Sequence, residues 1–85
     1  MTNDAASVTY RAGSLTLGSP EAVVPLHGPG QWSLATSHSV TSHLICGAHS
    51  VVVTDTVRVP THQLCQLAIT IATGAPTSWT LQTLR

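Results

Sequence analysis

The chain contains no lysine and few charges of either sign. Arg11, Arg58 and Arg85 are its basic residues, and Asp4, Glu21 and Asp55 are its acids. At 7% charged residues and a formal net charge of zero at pH 7, it has no basic footprint for a phosphate backbone. It also has no polybasic patch for a membrane surface. No apolar run nears the ~20 residues that a membrane-spanning helix needs. The opening MTNDAASVTY has neither a basic nor an apolar leader region, so no signal peptide is expected and cytosolic synthesis is. Sustained apolar spacing of the i, i+3, i+4, i+7 kind is missing throughout, which argues against helices.

What the sequence does have is strand texture. Gly and Pro recur about every ten residues, at Gly13, Gly18–Pro20, Gly28–Gly30, Gly47, Pro60 and Gly74–Pro76. Between them lie short segments in which apolar and polar residues alternate. Threonine and valine supply much of this texture, and β-branched side chains favour a pleated face. Strands are expected over 6–10, 14–17, 21–26, 31–36, 39–46, 50–59, 63–72 and 78–84. The segment 63–72 has the clearest alternation, with Cys65, Leu67, Ile69 and Ile71 on one face. Its other face still carries Leu64, Ala68 and Ala72, so it is expected to be covered on both sides. Pro25 marks the third segment as an edge or a bend. The expected fold is all-β, a small antiparallel β-sandwich or barrel of about six to eight strands. Residues 1–12 are a candidate N-terminal arm that pairs with a neighbouring molecule, and 13–85 are a single β-domain.

Candidate sites are few. His43, Cys46 and His49 are spaced H-x2-C-x2-H, and His62 and Cys65 add H-x2-C. These are zinc-type ligands, but strand geometry sends residues i and i+3 to opposite faces. The reading taken is therefore no metal and no cofactor, with Cys46 and Cys65 as buried free thiols. A Cys46–Cys65 disulfide is the alternative, disfavoured by a cytosolic setting. Asp55 shares a face with Val53 and Val57 in a continuous strand, where an unpaired carboxylate is costly. A bulge or loop that turns it outward is the preferred reading, over a partner such as Arg11 or a cover from a neighbouring subunit. No nucleophile elbow or phosphate-binding loop is present, so no enzymatic activity is expected. Trp32 and Trp79 suit a core or an interface better than a sugar platform.

The C-terminal half, SHLICGAHSVVVTDTVRVPTHQLCQLAITIATGAPTSWTLQTL, resembles the small β-sandwich virion proteins of tailed bacteriophages. The likeness lies in an HSVVV-type strand, a long apolar strand, a TGAPTS turn and a closing WTLQTL strand. It implies a capsid decoration (cement) protein or a minor head or tail protein, made in the host cytoplasm and located in the virion. The expected partners are capsid or tail subunits and copies of the chain itself, with no nucleic acid and no membrane. Tyr10 and Trp32 are the expected interface anchors. A small Cys/His zinc module with a regulatory role, using Cys46, His49, His62 and Cys65, is the alternative function. A carbohydrate-binding β-domain using the tryptophans is another.

Overall fold

The computed structural model describes residues 9–84. These residues form eight strands and, among themselves, no helix: β1 (Tyr10–Leu15), β2 (Glu21–His27), β3 (Gly30–Thr36), β4 (Val40–Cys46), β5 (His49–Val53), β6 (Thr56–Val59), β7 (Leu64–Ile71) and β8 (Thr77–Leu84). They assemble into two antiparallel sheets, ordered β1-β8-β3-β6 and β2-β7-β4-β5. The all-β sandwich expected from the sequence is the observed architecture.

Only β4 and β5 are joined within one sheet. Their turn is Gly47–Ala48, with Gly47 at φ 63°. A two-residue hairpin that needs positive φ at its first central position takes glycine there at least cost. Every other connection carries the chain from one sheet to the other, so strands adjacent in sequence face each other across the core. The link from β2 to β3 contains a cis Gly28–Pro29 bond. A side chain at Gly28 would run into the Thr61 carbonyl and Val59, which reserves the position for glycine.

The core is the inner, alternate set of each strand. Leu15, Trp32, Leu34, Val57, Val59, Trp79 and Leu81 come from one sheet; Val24, Leu26, Leu44, Cys65, Leu67 and Ile69 come from the other. Both indoles lie over glycines. A Cβ on Gly13 would sit 2.7 Å from the Trp79 ring, and one on Gly30 would sit 3.0 Å from the Trp32 ring. The missing side chains make room for the two largest residues of the interior.

Several expectations need correction. The segment 50–59 is two strands rather than one: β5 belongs to one sheet and β6 to the other. Thr54 and Asp55 form the crossover. Asp55 is exposed, its backbone carbonyl accepts the Leu34 N–H at 2.9 Å, and its carboxylate accepts the Thr54 hydroxyl at 3.3 Å. The loop reading of Asp55 therefore holds. One continuous strand over 50–59 would bury its valines alike, but Val57 and Val59 are fully buried whereas Val51 is 53% exposed. Leu17, expected on a strand, lies in the Thr16–Ser19 turn and is exposed. The expected N-terminal arm, residues 1–12, extends too far: Tyr10, Arg11 and Ala12 pair with Gln82, Leu81 and Thr80 of their own molecule. Residues 1–8 of that arm lie outside the described residues.

The cysteines are not free thiols: Cys46 and Cys65 form a disulfide. The reason is register. In the β4–β7 ladder Ile45 faces Gln66 and Leu44 faces Leu67, so the next rung sets Cys46 opposite Cys65. Their Cα atoms are 4.5 Å apart. That is the spacing of a rung without backbone hydrogen bonds, where side chains approach closely, and it lies within the range a disulfide can bridge.

Candidate interaction surface

The outer faces of the two sheets differ in chemistry. On the β1-β8-β3-β6 sheet, strand register lines up Tyr10, Gln82, Ser33 and Thr56 in one row. Ala12, Thr80 and Ala35 form the next row, and Gln31 lies beside Arg58 and Leu84. This face is largely hydroxyl and amide.

The other sheet turns apolar side chains outward. Val23, Ala68, His43 and Val52 form one row across all four strands. Pro25, Gln66, Ile45 and Ser50 form the next, and Leu64 extends it beside His27. Val23, Ile45, Val52 and Leu64 are all exposed, Val52 at 70% and Leu64 at 59%. Four strands at the usual spacing make this face about 15 Å wide. Glu21, which accepts the Thr70 hydroxyl at 3.3 Å, marks its rim. Exposed apolar side chains gathered on one face of a small domain, here with His43 and Gln66 among them, are a usual mark of an interaction site.

The edges differ as well. On β2, Gly28 N–H donates to the Gln63 carbonyl, which fixes the alternation of the ladder. Pro25 then falls where its nitrogen points away from β7, so this edge lacks a donor. On the opposite sheet β1 carries Arg11, and β6 is short, carries Arg58 and runs into Pro60. Among the four edges formed by the described residues, β5 (HSVVV) alone has neither proline nor a charged residue on its unpaired side. Charges and prolines are the devices that ordinarily blunt an edge.

A groove of about 390 Å³ opens beside the crossover, lined by Leu34, Val40, Ser42, Val53 and Asp55 among others. Ser42 is 2% exposed, and its Oγ finds no hydrogen-bond partner. A buried hydroxyl without a partner costs roughly 1–3 kcal/mol. Replacing Ser42 by Ala should therefore raise unfolding stability by about 1 kcal/mol, seen as a higher urea midpoint at unchanged slope. A fall in stability would mean that the hydroxyl is satisfied.

Of the two expected anchors, only Tyr10 presents a surface. It is 61% exposed, on the outer face of the hydroxyl-rich sheet. Trp32 is 1% exposed and belongs to the core. It shares the inward alternation with Leu34, and on β6 its partner is the buried Val57. The two residues are not brought together. The residues that do form the apolar face were visible only in part, through Leu64 and Ala68 on the outward side of 63–72.

The alternative sites do not assemble. The disulfide takes both sulfurs from the zinc arrangement, and the described residues hold no group of three or more His, Cys, Asp or Glu placed to grip an ion. Both indoles are buried, Trp32 at 1% and Trp79 at 4% exposure, so neither offers a face to a sugar. Among the described residues, no helix is long and apolar enough to cross a membrane. No family model, no curated protein and no solved structure matches the chain.

Proposed function

We propose that the protein is a non-enzymatic structural subunit of a virion, either a capsid decoration (cement) protein or a minor head or tail protein. It binds assembled capsid or tail subunits and bridges them. The observation that carries this reading is the exposed apolar face of Val23, Ile45, Val52 and Leu64 on a domain with almost no charge. Apolar burial with little desolvated charge suits docking onto a repeating lattice. The disulfide supports a working place outside the reducing cytosol, and virion surfaces are one such place. The resemblance of the C-terminal half to small phage virion sandwiches points the same way.

The test is co-sedimentation of the purified chain with isolated tailed-phage heads and tails. Saturable binding is expected. A Val23→Glu, Leu64→Glu double variant should lose at least tenfold in affinity while keeping its circular dichroism spectrum, because both side chains are exposed. A chain that ignores both particles, or a double variant that binds as well as the parent, removes the proposal.

A further inference from the structure

We infer that β5 is a self-pairing edge, through which two copies join antiparallel and form one continuous eight-stranded sheet. The inference rests on the assembly reading for its purpose, but the pairing itself is read from the backbone. Cys46 and His49 close the two-residue hairpin, and such a closing pair exchanges backbone hydrogen bonds. Alternation then directs Val51 and Val53 toward β4 as well. The N–H and C=O groups of Ser50 and Val52 point away from the sheet, toward solvent. The disulfide agrees with this assignment. Because Cys46 directs its backbone to β5, its rung with Cys65 on the other side is the non-bonded one, and the 4.5 Å Cα separation fits that.

A second copy is the occupant that this edge fits. The strand is five residues long and centred on Val51. Turned antiparallel about that centre, Ser50 of each copy meets Val52 of the other, and every outward backbone group finds a partner. The half-exposed Val51 meets its own copy at a non-bonded rung, where side chains pack closely. No charge on the strand repels its duplicate. Antiparallel pairing also carries the exposed His49 of one copy to the Asp55 end of the other. A parallel arrangement would set like against like. The outward row through Val52 then continues onto the row through Ser50 and Ile45 of the second copy, so the apolar docking face doubles in width. The symmetry is closed, and among the described residues no further edge of the same kind is left open to extend the chain of contacts.

Sedimentation equilibrium of the full chain should show a concentration-dependent dimer. Val52→Pro should remain monomeric with an unchanged strand spectrum, because the nitrogen it alters makes no bond within the molecule's own sheet. Under mild oxidation, Val51→Cys should form a covalent dimer at least tenfold faster than Ser50→Cys, read by mass under non-reducing conditions. Two copies of residue 51 would sit about 4.5 Å apart at a non-bonded rung. Two copies of residue 50 would be offset beyond the ~7 Å that a disulfide spans. A parent chain monomeric up to millimolar concentration, or equal cross-linking at 50 and 51, overturns the pairing. Particle binding by a parent chain that stays monomeric would leave the virion role standing without the pairing, whereas a dimer that binds no particle would do the reverse.

Discussion

Trp32→Ala should cost about 3–5 kcal/mol of unfolding stability, the usual range for deleting a buried tryptophan. The ring is the largest fully buried side chain, at 1% exposure. It lies over the bare backbone of Gly30, and Val57 on β6 and Thr83 on β8 are its rung partners. Neighbours held in two other strands cannot collapse far into the space, so most of the cavity term remains. Small domains hold about 5–15 kcal/mol in total, and this variant should unfold at low urea or arrive unfolded. Circular dichroism is the suitable probe, since the substitution removes one of two tryptophans. Tyr10→Ala is the contrast. Its side chain is exposed, and stability should change by no more than about 0.5 kcal/mol. Should Trp32→Ala keep its stability and lose only association, the ring would belong to an interface after all.

The contrast between these two residues shows what a sequence can carry. Both sit in alternating segments, and alternation names the side of a strand without saying which side is inside. Trp32 could be placed only through Leu34 and the distant Val57, and that pairing is set by the β3–β6 register. Where a local rule sufficed, the reading was close. Segment 63–72 became β7 (Leu64–Ile71) because its inward residues alternate without a break. Pro25 marked an edge because it removes a donor that an interior strand needs. Asp55 marked a loop because a carboxylate cannot stay unpaired in a core.

Where chain crossing decided the outcome, local rules failed. The valines at 51, 53, 57 and 59 keep one parity through the crossover, so the rhythm runs on while the chain leaves one sheet for the other. β5 makes its substantial contacts with β4, and its inward side stays partly open. The candidate surface was hidden for a related reason. Val23, Ile45, Val52 and Leu64 come from four strands, and only their register gathers them. An exposed apolar residue is unremarkable singly and becomes a signal only in a patch.

Reducing the Cys46–Cys65 bond should lower stability by about 3 kcal/mol, from the chain entropy of a loop closed over a sequence separation of 19 residues. For a domain of this size that is a large share of the total. The position of the bond adds a local effect. It ties β4 to β7 one rung beyond the last regular pair of their ladder, Ile45 with Gln66, and Cys46 also closes the hairpin to β5. The end of β4 is thus held on both sides, and the open edge of β5 hangs from it. Urea unfolding of oxidised and reduced parent chain isolates the bond without changing side-chain volume elsewhere. A Cys46→Ala, Cys65→Ala variant should show a loss of the same order, with a further contribution from the fully buried Cys65 site. Hydrogen exchange should locate the effect: amides of β4 and β5 next to the hairpin should lose protection first on reduction, while β8, in the other sheet, should follow only global unfolding. Equal stability of the oxidised and reduced chains would show that the strand pairing alone sets this end of the sheet, and that the bond merely records the closeness of the two sulfurs.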